Sequence, residues 1–359
     1  MTIVYVGDLW TGATSLMRMR ALQTCGHDVI GLDSTYAPTG LRGLGVRLAA
    51  RMGYAADPMN LNTALPEAAH RHRPDLIWID KGLRIKPTTL RAIRHSWPRI
   101  RIVHYSPDDM AGKHNQSIQY LRTLPLYDLH VTTKSFNVPE LREMGARQVL
   151  FLNNAYCDQI HRPIDIGPND RAALGGQVGF IGAFEEDRAE ALHFLAASGL
   201  KVRVWGGWGI GWKRWASRHS HLNLTVELRA LWSEEYARAI CSFDVNLGFL
   251  RKLNRDLQTT RSVEIPACGA FMLAERTSEH LRLFEDGVEA EFYSGREELL
   301  TKCRYYVEHS EDRIRIAIAG RKRCVESGYS YSRQVKTVIE NLTTQTSRPD
   351  LPAHSGHSR

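Results

Sequence analysis

The sequence predicts an α/β protein made of two doubly wound domains, each a parallel sheet with helices on both faces. The chain has 359 residues, and at roughly 150 residues per domain this length favours two domains over one. Short apolar runs alternate with helical patterns through both halves, which is typical of parallel sheets. The alternation stops once, between residues 157 and 177, where Pro163, Gly167, Pro168, Gly175 and Gly176 lie in a polar context. This break indicates a linker.

The first domain is predicted to cover residues 1–160. Gly26 ends its first helix, and Pro87 and Pro139 lie in the first turns of later helices, where a missing N–H costs nothing. The pattern predicts strands at 3–6, 29–32, 76–79, 102–105, 129–132 and 149–152, with helices at 15–24, 61–71, from 87, near 116–124 and at 138–144.

A linker at 161–176 and a second domain at 177–330 follow. The pattern there predicts strands at 178–181, 202–205, near 222–226, 245–247 and 271–274, and helices from 188 and at 233–242, 262–267, 279–284, 297–309 and 312–326. A last helix at 331–343 and a disordered tail at 344–359 complete the chain. Two such domains place a cleft between the carboxyl ends of their sheets, where ligands of open parallel sheets bind.

Composition excludes several classes of protein. With 43% hydrophobic and 24% charged residues, the chain is neither collagen-like nor disordered nor a disulfide scaffold. It has no apolar run of about 18 residues that could span a membrane, and its first residues lack the features of an export signal. We therefore expect a cytoplasmic protein. Its six cysteines form no Cys-x-x-Cys pair, so reduced thiols and no metal site are expected.

The net charge of +8 is concentrated in the first half of the chain. Residues 1–155 contain 19 Lys+Arg and 12 Asp+Glu, a difference of +7, which leaves 28 and 27, a difference of +1, for residues 156–359. The basic half either meets an acidic partner, such as an anionic polymer or a membrane surface, or is a solvated face. The arginines form no dense run, so nucleic acid is not expected. If the acceptor is anionic, we expect the protein to bind it more weakly when four arginines are neutralised: Arg91, Arg94, Arg99 and Arg101.

Polar residues follow several predicted strands of the first domain. The loop with Gly7, Asp8 and Gly12 leads into a helix and directs backbone N–H groups at an anion. It is not G-x-G-x-x-G, which disfavours a nicotinamide enzyme. Asp108 and Asp109 follow another strand and could act as a general base, bind sugar hydroxyls or cap a helix. Lys81 and Lys134 end two further strands and either reach an anion or are solvated.

The second half contains a tryptophan-rich stretch and a more informative acidic segment. The tryptophans of residues 204–212 could stack on a base or a sugar, or fill a hydrophobic gap. Glu264 lies on a short helix beside the cleft, where a carboxylate can accept two hydrogen bonds from a ribose diol. Asp256 precedes it by eight residues, and Arg261 is close enough in sequence to neutralise a diphosphate.

The string Arg-Ser-Val-Glu-Ile-Pro-Ala-Cys-Gly-Ala of residues 261–270 resembles the core signature of GT-B glycosyltransferases of the group 1 type. It is most similar to their spore-maturation CgeB-like branch, where R-[ST]-x-E-x-x-A-C-G precedes an apolar strand and F-x-x-G-x-E, here residues 284–289. The resemblance extends to about residue 342. It implies a GT-B architecture, in which two Rossmann-like domains face each other across a cleft and the C-terminal helix crosses back to the first domain.

The resemblance also implies roles for individual residues. Glu264 would bind the ribose of a nucleotide-diphosphate sugar, and Asp256 would contact the donor sugar, although aspartate has a shorter reach than the usual glutamate. Arg188 stands near a basic residue that meets the diphosphate, and Gly182 lies at the start of the donor domain. Residues 226–230, with Val226 and Leu228, resemble the turn that reads the base.

These implications lead to one main hypothesis and two alternatives. The main hypothesis is a metal-independent glycosyltransferase of the hexosyltransferase type, which needs no cofactor besides its donor substrate. Its acceptor would be a glycan or another anionic cell-surface molecule, and the protein would bind peripherally to the inner face of the membrane. Asp108 or Asp109 would be the base if the reaction inverts configuration. The alternatives are a nucleotide-sugar epimerase and a non-catalytic glycan-binding protein.

Overall fold

The computed structural model describes residues 1–36, 40–207 and 209–344, and within them the chain forms two six-stranded parallel sheets. The first sheet has the strand order β2-β1-β3-β4-β5-β6. Its strands are short and apolar, and the central ones are buried on both faces, which is typical of a parallel sheet covered by helices. They are β1 Thr2–Gly7, β2 Asp28–Asp33, β3 Leu76–Asp80, β4 Arg101–Ser106, β5 Leu129–Thr132 and β6 Val149–Phe151.

The second sheet has the order β12-β11-β10-β7-β8-β9. Strand β10 pairs in register with β7 and with β11, so the order reverses beside β7 just as it reverses beside β1 in the first sheet. These strands are β7 Gly176–Ile181, β8 Val202–Trp205, β9 Leu224–Glu227, β10 Phe243–Gly248, β11 Met272–Glu275 and β12 Glu291–Tyr293.

Helices connect the strands in the order typical of doubly wound sheets. Their bounds in the first half are α1 Thr14–Thr24, α2 Gly40–Arg51, α3 Leu61–His72, α4 Pro87–Ser96, α5 Ile118–Thr123 and α6 Asn137–Glu143. In the second half they are α7 Pro168–Leu174, α8 Glu186–Ala197, α9 Gly211–Ala216, α10 Ser233–Cys241, α11 Arg261–Ala267, α12 His280–Leu283, α13 Arg296–Glu308, α14 Ser310–Glu326 and α15 Tyr331–Thr344.

Helix α15 belongs to the core of the first domain although it is last in the chain. Tyr331, Val335 and Val338 are buried against Tyr5 and Trp78 of the first sheet. An amphipathic helix placed there removes apolar surface of both partners from water. The expected crossing back of the C-terminal helix and the two-domain α/β architecture are therefore confirmed.

Several local predictions were wrong. The predicted linker contains α7, because Pro168 is favourable at the start of a helix and Leu174 gives it a buried contact. Helix α2, helix α9 and strand β12 were not predicted. Thr344 still belongs to α15, and the rest of the predicted tail, residues 345–359, lies outside the described residues.

Candidate active site

Two adjacent cavities open at the carboxyl edges of the sheets, beside the points where strand order reverses. The N-domain cavity, about 660 Å³, lies against the ends of β1, β3 and β4 and includes Asp8, Lys81 and Asp108. The interdomain cavity, about 300 Å³, lies against the ends of β7 and β8 and includes Gly182 and Glu264. Reversal points are where open α/β sheets bind ligands, so this pair of cavities is the candidate active site.

The two cavities meet at Gly12, Thr14 and Trp232, which line both of them. Gly12 has a φ of +102°, and a Cβ atom built there would lie 2.6 Å from Cε3 of Trp232. The Trp232 ring also packs edge-on against Trp10, with 4.7 Å between centroids. Only glycine permits this backbone conformation together with this contact. A loop of the first domain is thereby held against a loop of the second at the junction.

A buried ion pair forms the floor of the N-domain cavity. Arg18 of α1 is 2% exposed and bonds the Asp80 carboxylate at the end of β3, with 3.2 Å from Nε to Oδ2. Its guanidinium lies 4.0 Å from the centroid of the Tyr105 ring. The Trp78 indole also donates to Asp80. These partners satisfy the buried charges and hold two polar groups rigidly below the cavity.

Asp108 is the accessible carboxylate of the predicted pair. It lines the N-domain cavity, and its Oδ2 lies 2.7 Å from Nζ of Lys81. Burial by itself would raise the pKa of Asp108, but the positive charges of Lys81, Lys134 and Arg251, with Lys81 contributing most, hold the pKa below its ordinary value. Asp108 is therefore an ionised carboxylate that faces a ligand space.

Asp109 has a structural role, contrary to its prediction as a candidate base. It is 1% exposed and receives hydrogen bonds from Nε and Nη2 of Arg255, at 2.7 and 2.9 Å. Asn137 and the backbone of Gly112 also donate to it. A buried carboxylate saturated in this way is not available to a substrate.

Glu264 of α11 is the acidic centre of the interdomain cavity. Its Oε2 accepts a hydrogen bond from the Tyr236 hydroxyl at 2.7 Å, and its Oε1 faces Nε2 of His161 at 3.8 Å. The Glu264 side chain is nearly buried. Burial, and after it the Glu264 carboxylate, raises the pKa of Tyr236 well above its ordinary value. Tyr236 therefore stays a hydrogen-bond donor that orients Glu264.

Two arginines, Arg188 and Arg261, lie close together at the ring of Phe180, 5.8 and 5.9 Å from its centroid. Arg188 is 4% exposed and does not itself line the interdomain cavity. Its Nη1 donates to the carbonyl of Ala183 at 3.1 Å, and its Nη2 lies 3.6 Å from the Glu185 carboxylate, but Nε and Nη2 have no hydrogen-bond partner among the described residues. Arg261 lines the interdomain cavity, and its buried Nε is unpartnered in the same sense. Burial, then repulsion by Arg261, lowers the pKa of Arg188 to about 10. Buried donors without acceptors next to a second positive charge form a site that an anion would complete.

Asp256 and Lys134 pair with each other and line neither cavity. Lys134 Nζ lies 2.6 Å from Asp256 Oδ1, and both side chains are buried, at 3% and 6% exposed. Asn254 also donates to Asp256. Lys134 follows β5 of the first sheet and Asp256 precedes α11 of the second, so the pair links the two domains. Lys134 is therefore buried in an ion pair and not solvated, and the sugar contact of Asp256 stays a prediction.

The residues after β9 that line the cavity lie further along the chain than predicted. Val226 packs against the core of the second domain, and Leu228 is 51% exposed; neither lines a cavity. The lining residues are Ala230, Leu231, Trp232 and Ser233 instead. The strand continues to Glu227, so the turn comes a few residues further along the chain.

The remaining predicted residues occupy supporting positions. Gly7 is tightly packed, since a Cβ would lie 2.0 Å from the Ser15 hydroxyl, and the Gly7 carbonyl accepts from Ser34. Asp8 lines the N-domain cavity and accepts from the Ser34 hydroxyl at 2.6 Å. The carbonyl of Gly182 accepts from the indole of Trp212.

The tryptophan-rich stretch contributes mainly to packing. Trp212 and Trp215 are buried in the core of the second domain, and Trp205 is buried beside the interdomain cavity, which it lines. Trp208 lies outside the described residues.

Three of the arginines predicted to meet an anionic acceptor lie away from the N-domain cavity. Arg99 and Arg101 stand at the amino end of β4, and the cavity lies beyond its carboxyl end, about 20 Å away for a six-residue strand. Arg94 pairs internally with Asp128 at 2.9 Å. The positive charges at the N-domain cavity come from other residues: Arg18, Lys81 and Arg84.

Sequence reasoning missed several lining residues. Arg18 and Tyr236 lie on helices without a motif, and His161 lies in the presumed linker, where no periodicity marks it. Trp232 was detectable only as an aromatic residue just before a predicted helix. Within the described ranges, no cluster of three or more His, Cys, Asp or Glu is arranged to hold a metal ion, and no helix is long and apolar enough to cross a membrane.

Comparison with known proteins supports the fold and the class. Residues 188–340 match the family described as Glycosyl transferase-like, whereas no curated protein matches the chain. The structure is similar to sucrose-phosphate synthase from Thermosynechococcus elongatus, with a TM-score of 0.62, 12% identity and coverage of 96% of this chain and 100% of that one.

Two further solved structures show the same similarity. The Anabaena protein Alr3699/HepE in complex with UDP-glucose has a TM-score of 0.65 at 14% identity, with 96% and 100% of the two chains covered. OtsA in its apo form has a TM-score of 0.66 at 12% identity, with 98% and 100% covered. The fold of the whole chain is therefore GT-B, and residues 188–340 match a family described as Glycosyl transferase-like.

Proposed function

We propose that the protein transfers a hexose from a nucleotide-diphosphate sugar in the interdomain cavity to an acceptor hydroxyl in the N-domain cavity. The observation that carries this proposal is the meeting of two differently equipped cavities at Gly12, Thr14 and Trp232. The interdomain cavity is lined by a carboxylate, Glu264, and an arginine, Arg261, with Arg188 close to Arg261, a set suited to a nucleotide diphosphate. The N-domain cavity holds the ionised carboxylate of Asp108. The UDP-glucose complex of the Anabaena neighbour supports such a donor, and the signature of residues 261–269 favours the CgeB-like branch.

Donor binding follows from the charges of the interdomain cavity. The Glu264 carboxylate, oriented by Tyr236, would accept hydrogen bonds from the ribose hydroxyls. Arg188 and Arg261 would donate their unpartnered N–H groups to the diphosphate. Such charge-assisted hydrogen bonds are about twice as strong as neutral ones, and the anion would also relieve the repulsion between the arginines.

The same groups would promote bond cleavage. As the sugar–phosphate bond breaks, negative charge accumulates on the leaving diphosphate, and fixed cations aimed at it stabilise the transition state. The N-terminus of α1, beside Gly12 and Thr14, adds a positive dipole end. We propose that transfer needs no divalent metal, and we expect the initial rate to be the same with and without EDTA.

Asp108 would supply the base if the reaction inverts configuration. Its carboxylate is ionised and faces the N-domain cavity, where it could take the proton of an acceptor hydroxyl. In a retaining reaction the leaving phosphate could take that proton instead. Product anomeric configuration, read by NMR, distinguishes the two.

The acceptor is proposed to be a glycan or another cell-surface molecule with an anionic group. Lys81 and Arg84 line the N-domain cavity together with the apolar residues Val46, Tyr54 and Leu61. This mixture of cations and apolar wall suits a sugar linked to an apolar carrier. Peripheral contact of the basic first domain with a membrane surface would fit such an acceptor.

The first experiment is a donor screen by calorimetry. UDP-, GDP-, dTDP- and CMP-sugars are titrated into wild type, Glu264→Ala and the control Glu234→Ala, whose carboxylate is exposed on α10 and pairs with Arg238. We expect one nucleotide to bind wild type and the control equally, and Glu264→Ala at least tenfold more weakly, a loss of about 1.4 kcal/mol.

Other outcomes would change the proposal. If no nucleotide binds at millimolar concentration, a non-catalytic glycan-binding role takes its place. If the bound sugar is converted to its epimer without any acceptor, the protein is an epimerase.

A further inference from the structure

His161 is a buried histidine whose protonation is fixed by its surroundings. It lines the interdomain cavity and is 1% exposed. Its Nδ1 accepts the backbone N–H of Cys157 at 2.9 Å, so in the neutral ring the proton lies on Nε2. Burial lowers the pKa of His161 despite the opposing carboxylates Glu264 and Asp158, which keeps the ring neutral near pH 7.

The Nε2–H group of this ring has nothing to bond among the described residues. An unpaired buried donor costs about 1–3 kcal/mol, so it calls for an acceptor that the protein itself does not supply. Glu264 Oε1 faces it at 3.8 Å, which is too long for a hydrogen bond.

One ligand hydroxyl could bridge the two atoms from the side of the line that joins them. Placed about 2.8 Å from each, it would accept from Nε2–H and donate to Oε1, which spans the observed 3.8 Å. A carbonyl or an ether oxygen could not donate to the carboxylate, so the gap selects a hydroxyl. Tyr236 is bonded to Oε2, so Oε1 is the oxygen that faces His161.

We propose that His161 and Glu264 together bind one hydroxyl of the ribose diol, and that His161 thereby contributes to the preference for ribonucleotides. This inference rests on the proposed nucleotide-sugar donor and deepens it. His161 comes from the segment that connects the domains, so the segment supplies a ligand-binding residue.

The experiment pairs a protein change with a ligand change. UDP, 2′-deoxy-UDP and 3′-deoxy-UDP, or the guanosine series if the donor screen selects that base, are titrated into wild type and His161→Asn. Asparagine places an acceptor near the position of Nδ1 and so can keep the bond to Cys157, but it removes the Nε2–H donor. The control is His219→Asn, the same change at an exposed histidine.

We expect wild type to lose at least tenfold in affinity for one of the two deoxynucleotides. His161→Asn should lose a similar factor for the ribonucleotide and bind that deoxynucleotide as wild type does, while His219→Asn behaves as wild type. The inference is overturned if His161→Asn lowers the affinity for the ribonucleotide and for that deoxynucleotide by the same factor, or if it lowers neither affinity.

Two further results separate the possible failures. If wild type binds none of the nucleotides, the proposed function fails and this inference fails with it. If His161→Asn does not fold, the wild-type titrations decide, because equal affinity for UDP and both deoxynucleotides contradicts a bound ribose hydroxyl.

Discussion

Asp108 and Asp109 show at the residue scale how neighbours in sequence acquire different roles. Asp109 faces Arg255 and Asn137 and is saturated by hydrogen bonds, whereas Asp108 faces a cavity with Lys81 as its ion-pair partner. Two adjacent residues on a loop point in different directions, and a sequence motif does not show which one reaches the ligand.

Asp108→Asn is expected to lower kcat by about 10²–10⁴-fold, the usual loss for a general base, with the Kd of the donor nucleotide unchanged. Lys81→Met should move the acid limb of the pH–rate profile to higher pH, because Lys81 holds the pKa of Asp108 down and the active carboxylate is lost as pH falls through that pKa. Initial rates measured across pH check the two kinetic predictions, and calorimetry with the donor nucleotide checks that its Kd is unchanged. An unchanged rate in Asp108→Asn would contradict the base role and favour retention.

Arg188 is expected to favour ligand binding at the expense of stability. Arg188→Met removes a buried charge with unpartnered N–H groups and a repulsive neighbour, Arg261, so the unfolding midpoint of the ligand-free protein should rise by a few degrees, about 1 kcal/mol. The same variant should bind UDP at least tenfold more weakly. Thermal unfolding with and without UDP measures both effects. A lower midpoint without ligand would show that Arg188 stabilises the fold.

At the scale of elements, the loop between β1 and α1 connects the two cavities. Its glycine, Gly12, combines a left-handed φ with close contact to Trp232. The loop is therefore fixed both by its own backbone and by the opposite domain. We expect its position to control the alignment of donor and acceptor.

Gly12→Ala should reduce kcat/KM at least tenfold, because the new Cβ would displace the Trp232 ring at the junction. Gly26→Ala is the matched control: Gly26 has a φ of +87°, and a Cβ there meets nothing within 4 Å. Both changes carry the cost of a left-handed alanine, roughly 1 kcal/mol, and only the first disturbs the junction. Kinetics together with unfolding midpoints separate the effects, and equal rates in the two variants would contradict the prediction.

At the scale of the whole molecule, polar contacts hold the domains together beside the active site. Arg255 of the second domain bonds both Asp109 and Glu140 of the first. Asp256 pairs with Lys134 in the same region. These contacts join the loops after β4 and β5 to the segment before α11, which carries Arg261 and Glu264.

Asp256→Ala should destabilise the protein by about 3–5 kcal/mol, because it leaves the Lys134 ammonium buried and unpaired. The double variant Asp256→Leu with Lys134→Met should recover most of this loss, since an apolar pair of similar volume replaces the ions. Denaturant unfolding of the single variants and of the double variant gives their free energies of unfolding, and from these the interaction energy between residues 256 and 134. If Asp256→Ala instead keeps its stability and loses affinity for the donor sugar, Asp256 is a sugar ligand.

The sequence by itself determined the α/β class, the two domains and the helix with Glu264 and Arg261, and its resemblance to GT-B glycosyltransferases implied the return of the last helix. Apolar periodicity, turn residues and one motif are local signals, and most of the elements depend on them. Tertiary structure alone decided that Asp108 and not Asp109 faces a cavity, that Asp256 pairs with Lys134, and that His161 and Trp232 reach the site. The physical reason is that these roles depend on how two sheets and their loops pack, and residues more than a hundred positions apart, such as Lys134 and Asp256, meet only after the domains have docked.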